Sequence, residues 1–128
     1  MIVVDTSVWI SALRNRQAQE ALHLAELLDQ DVVAIAVPTR IEILAGARAT
    51  EQPRLSRLLS ALPTLHPSDV TWQRIEQWLG GIKRAGDWFG VADLLIAGIA
   101  AENSAPVWSL DSDFTRMAKL RLIDLHHP

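Results

Sequence analysis

The chain has 128 residues and a net charge of −3, with 49% hydrophobic and 21% charged residues. This length fits one domain around one hydrophobic core. No apolar run approaches the roughly 18 residues of a membrane span, and the N-terminus lacks the basic start and long apolar segment of a signal peptide. We therefore expect a single domain over residues 1–128, located in the cytoplasm, and the absence of cysteine agrees with that location.

The first half of the sequence predicts strands that alternate with helices. Two short apolar runs, 2–4 and 32–37, are rich in β-branched residues and predict buried strands. A weaker strand signal covers 62–66, because prolines stand at 63 and 67. Apolar residues at helical spacing predict helices from residue 8, over 17–30, from residue 38 and over 51–62.

The second half continues the alternation. Ser68 is predicted to cap a longer helix, and a further helix begins at Asp93. The face of the longer helix predicted to point to the core consists of Trp72, Ile75, Leu79 and Ile82. The prediction ends with a strand over 107–110, a short helix around Phe114 and an edge strand over 122–125. Residues 126–128 are predicted to be a frayed tail without a metal site. The alternation predicts a three-layer α/β/α sandwich with a central parallel sheet.

Four acidic residues stand at predicted strand ends and helix starts. Asp5 and Asp111 follow strands, Glu42 lies about one turn beyond another strand, and Asp93 begins a helix. In parallel α/β sheets these positions converge on one crevice, so we expect the four acids to meet. Each has a structural alternative. Asp5 suits a helix N-cap, and Thr39 with Glu42 matches a capping box in which Glu42 bonds back to the Thr39 backbone.

Carboxylates packed together repel one another unless a cation neutralises them. Oxygen ligands favour Mg²⁺ or Mn²⁺, whereas zinc would call for Cys or paired His residues. Such ions, about 4 Å apart, activate water and orient a phosphodiester for hydrolysis. The hydroxyls of Thr6 and Ser7 are expected to fix the Asp5 carboxylate. If bound metal neutralises the four acids, the rest of the chain carries a net charge of −3 − (−4) = +1. The net charge of the whole chain therefore does not exclude a nucleic-acid substrate.

Four segments, IVVDTSVWI, IEILAGA, ADLLIAGIA and SLDSDF, follow one another across essentially the whole chain. In this order and spacing they resemble the PIN-domain ribonucleases, and among them the VapC-like toxins of prokaryotic toxin–antitoxin pairs. The resemblance implies an α/β/α fold, Mg²⁺- or Mn²⁺-dependent endoribonuclease activity, homodimers and inhibition by a cognate antitoxin. By position, Asp5, Glu42, Asp93 and Asp111 resemble the family's acidic quartet, and Ser7 resembles its supporting hydroxyl.

Other residues near these segments are left with open roles. Asp113 either helps to bind metal or caps the helix that starts near Phe114. Trp88 and Phe89 precede Asp93 and could stack on a base, grip a protein partner or pack their loop down. Basic residues that flank the proposed site are candidates for contacts with RNA phosphates, and they are Arg40, Arg48, Arg84, Arg116 and Lys119.

Three alternative functions remain open at this point. A Mg²⁺-dependent phosphatase also places an aspartate after its first strand, but the haloacid-dehalogenase type needs a second one where Ser7 stands. A receiver-like signalling domain expects adjacent acids after the first strand and a lysine after the last, and neither is present. A non-catalytic metal-binding interaction module is disfavoured because all four quartet positions hold acids.

Overall fold

A computed structural model describes the whole chain, residues 1–128. Its elements are β1 (Ile2–Val4), α1 (Thr6–Arg14), α2 (Gln19–Asp29), β2 (Val33–Ala36), α3 (Val37–Gly46), α4 (Gln52–Leu59), β3 (Thr64–Leu65), α5 (Asp69–Arg84), α6 (Val91–Glu102), β4 (Val107–Trp108) and α7 (Ser112–Lys119). None of these helices is both long enough and apolar enough to cross a membrane.

The sheet has four strands in the order β3-β2-β1-β4, and all neighbouring strands are parallel. Val3 of β1 pairs with Ala34 of β2 on one side and with Val107 of β4 on the other. The chain moves outward from β1 through β2 to β3 and then returns to the other side of β1 for β4. This reversal makes the carboxyl ends of β1 and β4 a topological switch point, where open α/β sheets form their ligand crevice.

The core lies on both faces of the sheet, because successive strand residues point in opposite directions. Val3 packs in a cluster with residues of α5, α6 and α7, including Ile96 and Phe114. Val4 packs in a second cluster with residues of α1 to α4, including Leu27. Helices therefore cover each face, which confirms the predicted three-layer α/β/α sandwich.

Helix α5 buries two of the four residues that the sequence predicted to face the core. Ile75 and Ile82 are buried, but Trp72 and Leu79 are 46% and 47% exposed. The buried stripe instead begins at Thr71, which is fully buried. Trp72 lies one position further along the helix, which rotates it by about 100° out of that stripe.

The C-terminal segment extends the sheet beyond β4. Leu125 forms a single parallel bridge with Val107, and the amide of His126 donates a 2.8 Å hydrogen bond to the Val107 carbonyl. The predicted edge strand is thus reduced to one bridge. The prediction of a frayed tail is wrong at His126, because its ring meets Trp108 edge-on and stacks on His23, with the two histidine Nε2 atoms 2.9 Å apart.

Candidate functional site

Asp5 occupies the centre of the crevice, at the turn between β1 and α1. It caps α1, since its side chain accepts a 3.4 Å hydrogen bond from the Ser7 amide. Its own amide donates to the Trp108 carbonyl at the end of β4, at 2.9 Å. Asp5 is 4% exposed, which is unusual for an aspartate. The capping role and the placement at the site therefore coexist in one side chain.

Two serines hold the Asp5 carboxylate, Ser7 from the first turn of α1 and Ser109 from the residue after β4. Ser7 Oγ donates to Asp5 Oδ2 at 2.8 Å, and Ser109 Oγ donates to the same oxygen at 2.7 Å. Each serine oxygen also accepts a backbone N–H, from Leu110 and Asp111 respectively. With both hydroxyl protons engaged, Oδ2 is fixed in place, while Oδ1 has no hydrogen-bond partner in the chain.

Ser109 is a site residue that the sequence analysis missed. Its signal was available, because a hydroxyl two residues before Asp111 mirrors the position of Ser7 two residues after Asp5. Ser109 reaches Asp5 only because β1 and β4 are neighbours in the sheet. The order of elements along the chain does not reveal that pairing.

Glu42 is held by Thr6 and not by its own helix. Thr6 Oγ1 donates to Glu42 Oε1 at 2.8 Å. The predicted capping box is wrong, because α3 begins at Val37 with Ala36 as its N-cap and Pro38 in its first turn. A proline is preorganised for the start of a helix. Thr39 therefore lies inside the helix, and Thr6 supports Glu42 where the sequence analysis assigned its hydroxyl to Asp5.

Three further carboxylates converge beside Asp5. Asp93, in the first turn of α6, presents an oxygen within 4.8 Å of oxygens on Asp111 and Asp113, from the start of α7. Asp5 and Glu42 are not members of this close group. Burial raises the pKa of Asp93 to about 7, with further contributions from the charges of Asp5 and Asp111 and from Asp113. The charges of Asp5 and Asp111 thus act on Asp93 at the crevice.

Asp111 and Asp113 are both fixed by local contacts. Asp111 caps α7 by accepting a 2.9 Å hydrogen bond from the Asp113 amide. The Asp113 side chain is ion-paired with Arg116 one turn later. Arg116 also pairs with Asp87 at 2.8 Å, and its guanidinium lies 5.0 Å from the centroid of the Phe89 ring. Both residues belong to the close acidic group, and Asp111, not Asp113, is the N-cap of α7.

The candidate basic residues have different surroundings. Arg40 is turned towards α4, where it donates hydrogen bonds of 3.0 to 3.2 Å to Ser56 and Ser60. Arg116 reaches the acidic group through Asp113. Exposed side chains are found at the three remaining positions, which are Arg48, Arg84 and Lys119.

The profile of the PIN domain matches residues 2–120 of this sequence. The chain belongs to the PIN domain family. Ribonuclease VapC11 from Mycobacterium tuberculosis is 30% identical to this PIN domain over 125 residues, which cover 94% of this chain and 93% of the relative.

Solved structures have the same fold as this PIN domain. VapBC2 from Rickettsia felis, bound to a DNA fragment from their promoter, gives a TM-score of 0.79 at 22% identity, over 98% of each chain. VapBC-5 from Mycobacterium tuberculosis, a member of the VapBC family of toxin-antitoxin systems, gives 0.67 at 24% identity, over 99% of this chain and 98% of that chain. At these identities the likeness establishes the fold alone.

Proposed function

We propose that this PIN domain, residues 1–128, is a metal-dependent endoribonuclease that hydrolyses RNA phosphodiester bonds and serves as the toxin of a toxin–antitoxin pair. The observation that carries the proposal is the close group of Asp93, Asp111 and Asp113 beside Asp5 at the switch point of the sheet. The names of the relatives support it, because VapC11 is a ribonuclease and VapBC-5 belongs to a family of toxin-antitoxin systems.

The acidic group fits a divalent cation by its chemistry. Its donor atoms are carboxylate oxygens, which suit Mg²⁺ or Mn²⁺. Arg116 pairs with Asp113 and Asp87, yet the pKa of Asp93 is still raised to about 7. Burial is the largest cause of that rise, and the charges of Asp5 and Asp111 add to it, so carboxylate repulsion persists at the site beside Arg116. A bound metal ion would remove that repulsion.

We assign the metal ligands to the acidic quartet, Asp5, Glu42, Asp93 and Asp111, with Asp113 as a further ligand. When bound, Mg²⁺ or Mn²⁺ supplies charge stabilisation for the phosphate and a lowered pKa for water. The chain supplies the positioning. Ser7 and Ser109 hold one oxygen of Asp5 and leave the other free, and Thr6 holds Glu42 across the crevice.

The exposed basic side chains are the proposed contacts for RNA phosphates away from the cleaved bond. Arg48, Arg84 and Lys119 are free to reach a substrate. Arg40 and Arg116 would first have to leave the partners described above, so we expect smaller contributions to RNA affinity from them.

The proposed partner is a cognate antitoxin, and the proposed location is the cytoplasm, where both RNA and the antitoxin are available. A homodimer, which the family resemblance implies, remains a prediction. Analytical ultracentrifugation of the purified chain would test it.

The decisive experiment is cleavage of a total-RNA pool by purified protein in Mn²⁺, in Mg²⁺ and in EDTA. We expect discrete cuts in both metals and none in EDTA, and a loss of at least about 100-fold in the Asp93→Asn protein. Asp29→Asn is the matched control. Asp29 is exposed at the end of α2, before the start of β2, whereas the crevice lies at the carboxyl ends of the strands. Hydrolysis of a small phosphate ester with no RNA cleavage would instead identify a phosphatase.

A further inference from the structure

Trp88 is the most exposed large hydrophobic side chain of the molecule, at 79%. Its neighbour Phe89 is only 4% exposed and belongs to the core cluster that contains Ile82 and Leu94. Of the two adjacent aromatics, therefore, Phe89 anchors the loop to the domain. The packing of the loop gives no reason for an indole at position 88.

The loop that carries Trp88 is held on both sides. Before it, Asp87 is ion-paired with Arg116 at 2.8 Å, and the Asp87 amide donates to the Ile82 carbonyl at 3.1 Å. After it, Phe89 is buried with the Arg116 guanidinium over its ring. Arg116 also pairs with Asp113 of the acidic group. One arginine thus links the Trp88 loop to the proposed metal site.

The indole lies beside the helix that presents Asp93. Its Cη2 is 4.0 Å from the point where a β-carbon on Gly90 would stand. Gly90 is the N-cap of α6, and Asp93 is three residues later, about 4.5 Å along the helix axis. A nucleotide next to a phosphate bound at the acids would therefore have its base within reach of the indole.

We infer that Trp88 is a base-stacking residue, on which a nucleotide flanking the cleaved phosphodiester packs. Unpaired RNA bases stack on aromatic side chains, and this contact tolerates any base because every base has a flat π-face. The loop is preorganised by Arg116 and Phe89, so binding would order little of the protein. This inference rests on the proposed ribonuclease activity, since it places RNA at the acidic group.

A protein partner is the weaker explanation for this exposed indole. Trp88 is flanked by the half-buried Asp87 and the buried Phe89, and it lies beside a site rich in carboxylates. Protein-docking surfaces are usually contiguous apolar patches. The nearest exposed large apolar side chain along the chain is Val91, at 67%. An indole and one valine do not make an extended apolar patch, so the indole next to the proposed metal site fits one stacked base better.

The test measures binding separately from cleavage. A fluorescently labelled pool of single-stranded oligoribonucleotides is titrated in Mg²⁺ with the non-cleaving Asp93→Asn protein and with the same protein carrying Trp88→Ala, Trp88→Phe or Trp72→Ala. Trp72 is the matched control because it is exposed at the start of α5. There Ser68 and Thr71 bond Glu102, at the far end of α6 from Asp93.

We expect Trp88→Ala to weaken RNA binding by about ten-fold, while Trp88→Phe stays near the parent and Trp72→Ala matches it. RNA should also quench tryptophan emission in the parent and not in the Trp88→Phe protein, although that variant still binds. Unchanged RNA affinity in Trp88→Ala would overturn the inference and leave Trp88 as a contact for a protein. If the wild-type chain cleaves no RNA but this binding pattern holds, the proposed activity fails while the stacking role survives.

Discussion

The hydroxyl of Thr6 donates a 2.8 Å hydrogen bond to Oε1 of Glu42, joining the first helix to the third. This contact leaves Glu42 free of the capping role and turns it into the crevice. We predict that Thr6→Val lowers Mg²⁺ affinity and RNA cleavage by about 10-fold or more, because an unheld carboxylate samples other rotamers.

Isothermal titration with Mg²⁺ and cleavage assays would measure both effects. Thr39→Val is the matched control, since the Thr39 hydroxyl has no partner and belongs to the same helix as Glu42. Wild-type metal affinity in Thr6→Val would contradict the role of this hydrogen bond.

Thr39 itself supports a stability prediction. Its side chain is fully buried, and its Oγ1 makes no hydrogen bond. Valine has nearly the same shape without the hydroxyl, so Thr39→Val should raise the free energy of unfolding by about 1 kcal/mol or more. Thr39→Ser, which keeps the hydroxyl and loses the methyl group, should lower it. Urea denaturation of both variants checks the sign, and a destabilised Thr39→Val protein would refute the prediction.

The raised pKa of Asp93 predicts how the metal-free protein responds to pH. Its ordinary pKa is 3.8 and its folded value is about 7. Between these values the folded state keeps a proton that the unfolded state has released, so stability should fall as the pH rises from about 4 to about 7. In EDTA, melting temperatures should show this decline in the wild type and a weaker one in Asp93→Asn. The same dependence of melting temperature on pH in the two proteins would argue against a raised pKa of Asp93.

The same carboxyl makes metal binding depend on pH. An ion bound at the acidic group displaces the proton of Asp93, so binding should strengthen from pH 5.5 to pH 8. Because the metal binds the folded state, millimolar Mg²⁺ should raise the melting temperature more at pH 8 than at pH 5.5. A shift in Tm that is independent of pH, or no shift at all, would contradict the proposed ligand role of Asp93.

His126, which lies along the β4 edge of the sheet, predicts an effect of acid on stability. Burial and the neighbouring His23 and His127 lower its pKa below the usual 6.5. Its Nε2 meets Nε2 of His23 at 2.9 Å, a contact that needs one unprotonated nitrogen, and Glu26 lies 3.7 Å from the other nitrogen of His23. The unfolded chain takes up protons first, so stability should fall as the pH drops below 6.5.

We expect His126→Phe to remove part of this acid sensitivity while keeping a ring against Trp108. Melting temperatures from pH 8 to pH 5 should be compared in the Asp93→Asn background, so that the opposite slope of Asp93 does not mask the effect. His66→Ala is the control, because His66 is exposed and follows β3 at the edge of the sheet opposite β4. If melting temperature falls equally with pH in the proteins with and without His126, the lowered pKa of His126 does not contribute to the acid sensitivity.

The sequence by itself determined the order of strands and helices and the position of each acid within it. Short β-branched runs followed at once by Asp5 and preceding Asp111 indicated strand ends, because periodicity and β-propensity are local properties. The fold class followed from the alternation, and the PIN resemblance from four segments in order. Those features predicted the three-layer sandwich and one acidic edge.

Only the tertiary structure decided which groups hold each carboxylate. Ser109 and Asp5 are 104 positions apart, and their contact exists because β4 returns to the side of β1 opposite β2. Local patterns misled where a tertiary contact was stronger, as when Glu42 bonds Thr6 and not the backbone of Thr39. Likewise, Phe89 is buried and Trp88 is exposed, and the sequence of two adjacent aromatics does not show which of them packs into the core. The spacing of residues along the sequence indicates whether a segment forms a helix or a strand. The order of strands in the sheet decides which distant segments share hydrogen bonds.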